Sequence, residues 1–181
     1  MAAFFITATG TDAGKTFLTA ALIRYLRARG RDAAAVKPVV SGFDPAAIAA
    51  SDTGRLLAAM QRPLTDGEGL AVSPWRFSAP LSPDMAAARE NRAIDFPALV
   101  GFSRKVATSA DVVFIEGVGG VMVPLDDTHT VLDWIEALAF PSVLLAGTYL
   151  GTISHALTAL DALSRRNCAV QAIVLNETRG S

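Results

Sequence analysis

Short apolar segments alternate along the chain with longer segments rich in alanine and leucine. The apolar segments predict strands at residues 3–8, 33–37, 111–116, 142–146 and 169–176. The longer segments predict helices at residues 15–29, 46–60 with an interruption near Ser51, 82–89, 96–109, 130–139 and 152–166. A turn is expected at residues 41–45, and residues 62–81, which contain Pro and Gly, are expected to be mostly loop.

This order of elements predicts an α/β fold. Strands that are apolar throughout are covered on both faces, and their alternation with helices favours parallel strands joined by crossovers. We therefore expect a doubly wound, mostly parallel sheet with helices on both faces, in one domain over residues 1–181. Ligands of such sheets bind at the carboxyl ends of the strands. Polar and glycine residues cluster after several predicted strands, which points to one shared site.

Composition narrows the class of protein. The 181 residues carry a formal net charge of −1, which gives no electrostatic reason to expect a nucleic acid or an anionic membrane as partner. The single Cys168 cannot form an internal disulfide and fits a reducing compartment. The first residues lack a basic signal-peptide region, and no apolar run approaches the roughly 20 residues of a membrane span. A cytoplasmic globular protein is expected.

A candidate phosphate-binding loop follows the first predicted strand and ends in Gly14-Lys15-Thr16. A loop between a strand and a helix N-terminus directs backbone N–H groups at a phosphate, and the helix dipole adds to the attraction. Lys15 would reach the β- and γ-phosphates and Thr16 would hold Mg²⁺. The strict pattern places Gly five residues before Gly14, where this chain has Thr9. The loop predicts that residues 1–181 form a P-loop ATPase-like domain, with the P-loop NTPase fold. The alternative is an ordinary helix start with Lys15 in solvent.

Three charged residues stand at or near other predicted strand ends. Lys37 closes a buried strand, Asp52 lies in the interruption of a helix, and Glu116 precedes a glycine-rich turn. A carboxylate at a buried strand end is where P-loop enzymes hold Mg²⁺. Taken singly, each has a structural alternative: a lysine extending to water, a helix cap, and an acid bonded to nearby N–H groups.

Together, several segments resemble the dethiobiotin synthetase family, in the same order along nearly the whole chain. The phosphate loop is similar to that family's Gly-Thr-Asp-Thr-x-x-Gly-Lys-Thr loop. The other matching segments are Lys37-Pro38-Val39-Val40-Ser41-Gly42, Phe77-Ser78-Ala79-Pro80-Leu81-Ser82-Pro83 with Ala86-Ala87-Ala88, Glu116-Gly117-Val118-Gly119-Gly120 through Pro124-Leu125, Gly151-Thr152-Ile153-Ser154-His155-Ala156, and Leu175-Asn176-Glu177.

The chain departs from the family pattern in two places. Ala8 stands where the family's loop has its first Gly and Gly10 where it has Asp, so the loop is expected to turn at a different glycine. The family normally continues for some tens of residues beyond Ser181, adding a strand, helices and part of the adenine pocket. We therefore expect a chain that is short at its C-terminus.

The resemblance implies an ATP- and Mg²⁺-dependent cyclo-ligase that carboxylates 7,8-diaminononanoate with CO₂ and closes its ring to dethiobiotin, acting as a homodimer. Implied catalytic residues are Lys15, Lys37, Thr11 and Ser41. Implied ATP-binding residues are Thr9, Gly10, Thr11, Asp12, Ala13, Gly14, Lys15, Thr16, Phe17, Glu116, Gly117, Gly119 and Asn176. Implied substrate-binding residues are Ser41, Val118, Gly119, Gly151, Thr152 and Ile153, the last three acting on the partner's substrate. Implied metal ligands are Thr16, Asp52 and Glu116.

Other classes share parts of this pattern. A switch ATPase that positions cargo or partitions DNA has the same sheet and Gly-Lys-Thr ending, but carries an extra lysine early in the loop, where this chain has Gly10. An amidotransferase-type synthetase usually needs a glutaminase domain, for which 181 residues leave no room. A non-catalytic binding protein with a degenerate loop is a third alternative.

Overall fold

The computed structural model describes residues 1–177. The strands are β1 (Ala2–Ala8), β2 (Ala33–Val36), β3 (Val39–Ser41), β4 (Trp75–Phe77), β5 (Val112–Glu116), β6 (Ser142–Ala146) and β7 (Val170–Leu175). The helices are α1 (Lys15–Arg27), α2 (Asp52–Ala59), α3 (Asp66–Val72), α4 (Pro83–Arg89), α5 (Phe96–Val106), α6 (Val131–Leu138) and α7 (Thr152–Arg165), with a 3-10 segment at Pro45–Ala50. None of the helices within residues 1–177 is long and apolar enough to cross a membrane.

Five strands form the main sheet in the order β2-β5-β1-β6-β7, and every neighbouring pair is parallel. Successive residues of the central strand β1 supply two different cores, because side chains alternate across a sheet. Phe5 packs edge-to-face on Trp134 of α6, and Ile6 packs in the cluster that contains Ile23 of α1 and Leu56 of α2. Helices therefore cover both faces, and the predicted doubly wound α/β fold is confirmed.

A small second sheet pairs β3 with β4 in parallel, with Val39 opposite Trp75. The expectation of a loop over most of residues 62–81 was wrong, because this stretch contains α3 and β4. The α3 helix begins where the Thr65 hydroxyl accepts a hydrogen bond from the Glu68 N–H, a side-chain cap that offsets the low helix propensity of Gly67 and Gly69. The expected turn at residues 41–45 begins one residue late, since Ser41 still belongs to β3.

The predicted break in the second helical segment is present. The 3-10 segment ends before Ser51, whose hydroxyl then accepts from the Gly54 N–H and caps α2. Two helices end two or more residues earlier than predicted: α1 ends at Arg27 rather than residue 29, and α5 at Val106 rather than residue 109. The carboxyl ends of β1, β5 and β3 all open toward one cleft, so the fold gathers the predicted polar residues.

Candidate active site

The phosphate-loop residues run from the end of β1 to the first turn of α1. Gly14 has φ 93° and Asp12 has φ 57°, so these two residues, and not Gly10, adopt the left-handed conformation that turns the chain. A Cβ atom on Gly14 would lie 2.3 Å from the Nδ2 atom of Asn176. Glycine is therefore required at position 14 both by its φ angle and by this close approach.

Lys15 connects two glycine-containing loops. Its Nζ atom donates to the carbonyl oxygen of Gly10 at 3.2 Å and to that of Gly119 at 2.6 Å. Burial, together with the nearby charge of Lys37, lowers the pKa of Lys15 to about 8. Its amine is therefore held between neutral carbonyl groups, without a carboxylate at contact distance among residues 1–177.

A network of charged side chains joins the ends of β2 and β5 to the start of α2. The Nζ atom of Lys37 lies 3.0 Å from Oε1 of Glu116 and forms a short contact with Oδ2 of Asp52. Burial acts to lower the pKa of Lys37, but Glu116 and Asp52 outweigh it and raise the pKa. Burial acts to raise the pKa of Asp52, but Lys37 outweighs it and lowers the pKa. The fold therefore keeps these groups charged.

The donor set around Glu116 fits a magnesium ion that arrives with phosphate. Thr16 donates from its hydroxyl to Oε1 of Glu116 at 2.5 Å, whereas Oε2 of this fully buried carboxylate has no hydrogen-bond partner among the described residues. Within residues 1–177 no group of three or more His, Cys, Asp and Glu side chains could hold a metal by itself. Mg²⁺ usually takes one or two carboxylates and completes its shell with phosphate and water. Thr16, Asp52 and Glu116 suit that role.

The cleft beside this network has a volume of about 610 Å³. It is lined by Thr11, Asp12, Gly14, Lys15, Thr16, Phe17, Lys37, Val40, Ser41, Asp52, Arg55, Pro80, Leu81, Ser82, Pro83, Glu116, Val118, Gly119 and Val123. The lining combines charged residues with aliphatic and proline residues. The Oγ atom of Ser41 is buried and has no hydrogen-bond partner in the described part of the chain. Such a cleft accommodates a molecule with an anionic end and an apolar body.

Most of the predicted site residues line this cleft. Among the predicted site residues that are not part of its lining are Thr9, Gly10, Ala13, Gly117 and Asn176. Asn176 donates from Nδ2 to the Ala13 carbonyl at 3.0 Å and so holds the back of the phosphate loop. Gly117 packs against the ring of Phe5, where a Cβ would approach to 2.9 Å.

The predicted substrate residues Gly151, Thr152 and Ile153 do not line this chain's own cleft. They form the start of α7, where Gly151 has φ 97° and the Thr152 hydroxyl donates to the Gly147 carbonyl at 2.8 Å. Leu150, Ile153 and Leu157 project their side chains into solvent along this end of the helix.

Arg55 is a cleft residue that the sequence analysis missed. It lies three residues after Asp52 on α2, and side chains at this spacing share one face of a helix. The spacing was therefore an available signal. The cleft residues Val40 and Val123 had no comparable signal, because apolar residues in and near strands are usually core residues.

Comparison with known proteins agrees with this geometry. Residues 2–181 match the family model described as an AAA domain. The chain is 53% identical over 178 residues to the ATP-dependent dethiobiotin synthetase BioD of Acidiphilium cryptum, an alignment that covers 97% of this chain and 80% of that relative. It is 46% identical over 188 residues to the protein of the same name from Methylobacterium nodulans, with 100% and 83% covered.

Among solved structures, the kinase domain of the Escherichia coli tyrosine kinase ETK aligns with a TM-score of 0.55 at 14% identity, covering 99% of this chain and 69% of that one. This likeness concerns the fold alone. The alignments with the curated relatives extend over almost the whole chain. The chain belongs to the ATP-dependent dethiobiotin synthetase family.

Proposed function

We propose that the chain catalyses the ATP- and Mg²⁺-dependent carboxylation and ring closure of 7,8-diaminononanoate, with CO₂, to dethiobiotin in the cytoplasm. The observation that carries this proposal is the pair of buried lysines, Lys15 and Lys37, with Thr16, Asp52 and Glu116 in a cleft that is also lined by apolar residues. A nucleotide phosphate and a second anion need two cations, and an aliphatic diamine needs the apolar residues.

The proposed reaction has three steps. An amine nitrogen of the diamine forms a bond to the carbon of CO₂ and loses a proton, giving a carbamate. A carbamate oxygen then attacks the γ-phosphorus of ATP, and the bond to the ADP oxygen breaks. The second amine attacks the carbonyl carbon of this mixed anhydride, loses a proton and expels inorganic phosphate, which closes the cyclic urea.

The proposed residue roles follow from charge and position. Lys15 binds the β- and γ-phosphates, and Lys37 holds the carbamate beside the phosphoryl group. Thr16, Asp52 and Glu116 would hold Mg²⁺, which would neutralise part of the phosphate charge. Phosphoryl transfer depends mainly on such positioning and charge neutralisation, so no covalent protein intermediate is needed.

The remaining roles concern hydrogen bonding and shape. Thr11 and Ser41 donate hydroxyl hydrogen bonds to the carbamate or the phosphate, and the buried, unpartnered Oγ of Ser41 supports this role. Val118 and Gly119 follow the body of the diamine. The loop from Thr9 to Phe17, with Gly117 and Gly119, binds ATP, and Asn176 faces the adenine end while holding the loop through Ala13.

We also propose a homodimer in which Gly151, Thr152 and Ile153 bind the substrate carboxylate of the partner subunit. Two observations support it: these residues lie outside this chain's own cleft, and the start of α7 has no side-chain cap and carries exposed apolar side chains.

The decisive test incubates the protein with Mg-ATP, ¹³C-labelled bicarbonate and 7,8-diaminononanoate, and detects dethiobiotin by mass spectrometry. The product should carry one ¹³C atom, and phosphate release should depend on the diamine. Phosphate release that is independent of the diamine, without a ring product, would instead support a switch ATPase.

A further inference from the structure

Arg55 is a charged cleft residue without a structural partner. It lines the cleft and is exposed, and its guanidinium takes part in none of the hydrogen bonds or ion pairs formed within residues 1–177. Other arginines of the chain, such as Arg76 and Arg166, form ion pairs with Asp66 and with Asp133 and Glu136. An arginine that faces a ligand cleft with all five N–H donors free is suited to bind an anion.

The backbone beneath Arg55 is firmly held. The Arg55 N–H donates to the Ser51 carbonyl at 3.0 Å, and the Ser51 hydroxyl caps the same helical turn. Gly54 packs so closely on the preceding segment that a Cβ would lie 2.0 Å from the Ile48 carbonyl oxygen. Leu56 and Leu57 are fully buried. The side chain therefore projects from a fixed position, which lowers the entropic cost of using it in binding.

Arg55 does not serve as the ion-pair partner of Asp52, although the two residues lie on one face of α2. The carboxylate of Asp52 is already in contact with Lys37, and Arg55 contributes only the smallest of the influences on the Asp52 pKa. Exposed pairs at this helical spacing contribute little to stability.

The charges lining the cleft balance only because Arg55 is present. The positive residues are Lys15, Lys37 and Arg55, and the negative residues are Asp12, Asp52 and Glu116. Lys37 is engaged with Asp52 and Glu116, so the cations left for an incoming polyphosphate are Lys15 and Arg55. Lys15 lies where the phosphate loop meets α1, and Arg55 lies on α2, three residues after Asp52.

We propose that Arg55 binds the terminal phosphoryl group of ATP and neutralises its oxygens during transfer. The planar guanidinium matches two phosphate oxygens at once, which an ammonium group does not. Charge spreads over the equatorial phosphoryl oxygens in the transition state, so this contact strengthens as the reaction proceeds. The identity of the phosphoryl acceptor rests on the proposed function. The contact between Arg55 and ATP does not depend on that acceptor.

The test compares Arg55→Gln with Arg55→Lys and with the control Arg24→Gln. Arg24 is an exposed arginine of α1 outside the cleft, so its variant makes the same charge change elsewhere. Calorimetry measures the binding of a non-hydrolysable ATP analogue and of ADP, each with Mg²⁺. Arg55→Gln should weaken the analogue about tenfold or more while ADP changes less than about twofold. Arg55→Lys should be intermediate, and Arg24→Gln should match the wild type.

Equal weakening of both nucleotides by Arg55→Gln, or no weakening of either, would overturn the proposal. A change confined to the affinity for the diamine would also overturn it and would assign Arg55 to that substrate. Thermal melting of each variant establishes that the fold is kept. If the wild type forms no dethiobiotin, the proposed function fails, whereas the comparison of ATP analogue with ADP still decides the role of Arg55.

Discussion

Lys37 contacts the same two carboxylates that are proposed to hold the magnesium ion. Its Nζ atom contacts both Glu116 and Asp52, and Glu116 is fully buried. A magnesium ion held by these carboxylates would compete with the lysine for their negative charge, which would make the amine more available to the carbamate. The same residue keeps the ligand-free site stable, since a buried carboxylate without a partner is costly.

Replacing Lys37 with Met should separate the effect of this residue on catalysis from its effect on stability. Ring closure should fall by about 10³-fold, because a preorganised cation is lost from the reacting groups. The free energy of unfolding should fall by about 3 kcal/mol, because Glu116 and Asp52 then face each other unpaired. Mg²⁺ without nucleotide should raise the melting temperature of the variant more than that of the wild type, as measured by differential scanning fluorimetry.

Lys105→Met provides the control, since Lys105 is an exposed lysine of α5 that forms none of the ion pairs within residues 1–177. An identical response to Mg²⁺ in the wild type and in Lys37→Met would show that Lys37 and the ion do not compete for the carboxylates.

The lowered pKa of Lys15 predicts how ATP affinity depends on pH. With a pKa of about 8, the free protein loses the Lys15 charge as the pH rises past that value. Binding of MgATP should therefore weaken above about pH 8, approaching tenfold per pH unit if charged Lys15 is obligatory. Since the phosphate favours the charged form, binding near pH 8 should take up a proton, detectable by calorimetry in buffers of different ionisation enthalpy.

The contribution of Lys15 to the free energy of unfolding depends on pH in the opposite direction, since it becomes more favourable as the pH rises. The folded protein releases the Lys15 proton at a lower pH than the unfolded chain, so between about pH 8 and 10.5 the unfolded state binds more protons. The Lys15 contribution to the free energy of unfolding is therefore least favourable below pH 8 and rises through this window. A Lys15→Met variant should show neither the proton uptake nor this pH dependence.

At the residue scale, the sequence was sufficient to predict which residues line the cleft wherever a motif fixes both the residue type and its position. Lys15, Thr16, Lys37 and Glu116 do meet at the cleft as expected. The turn of the phosphate loop was not predictable in detail, because the sequence pattern points to a glycine as the turning residue. Asp12 adopts the left-handed conformation as well, which aspartate tolerates better than most residues. The hydrogen bond from Asn176 to Ala13 depends on residues 163 positions apart and has no local signature.

At the element scale, the start of α2 connects the packing of the fold to its chemistry. This helix carries Asp52 and Arg55 on the cleft side and buries Leu56 and Leu57 in the core on the other. Its first turn lies directly against the preceding 3-10 segment, with no space for a side chain at Gly54. The position of both cleft residues thus depends on one glycine.

Gly54→Ala should therefore destabilise the protein by about 2 kcal/mol or more, because the new methyl group would lie 2.0 Å from the Ile48 carbonyl oxygen and α2 must shift. Denaturant unfolding measures the change. Gly101→Ala is the matched control: Gly101 lies within α5 with nothing within 4 Å of the added atom, so alanine should stabilise by about 0.5–1 kcal/mol. Equal effects of the two substitutions would contradict this account.

Most elements were predictable because each has its own local pattern. The strands of the main sheet are apolar runs, most of the helices are rich in alanine and leucine, and α2, α5 and α6 begin at a side-chain cap. The missed pair, α3 and β4, carries weak local signals: α3 contains two glycines, and β4 is three residues long. β4 exists because it pairs with β3, from which it is distant in sequence.

At the scale of the whole molecule, the strand order was not predictable from the sequence, although the parallel class was. The order β2-β5-β1-β6-β7 places β1 between β5 and β6, so the phosphate loop opens beside Glu116 on one side and the turn before α7 on the other. That turn leads into the apolar stripe of Leu150, Ile153 and Leu157, which the described part of the chain leaves exposed.

This stripe bears on the proposed homodimer. Ile153 and Leu157 are four residues apart and share one face of α7, Leu150 lies in the turn just before this helix, and each of the three is more than 60% exposed. A second copy packing on the stripe would bury it and bring the N-terminal turn of α7 to the partner's cleft. Contiguous exposed apolar side chains of this kind mark interaction surfaces in soluble proteins.

Ile153→Glu should therefore convert a dimer into a monomer, since a carboxylate at a buried interface would be desolvated without a partner. Light scattering after size-exclusion chromatography measures the mass. Leu64→Glu, at a half-exposed leucine of a different surface, should leave the mass unchanged. If Gly151, Thr152 and Ile153 serve the partner's cleft, the monomeric variant should also raise the KM for the diamine while its affinity for ATP stays near that of the wild type. A monomeric variant with an unchanged KM would show that each cleft is complete within one chain.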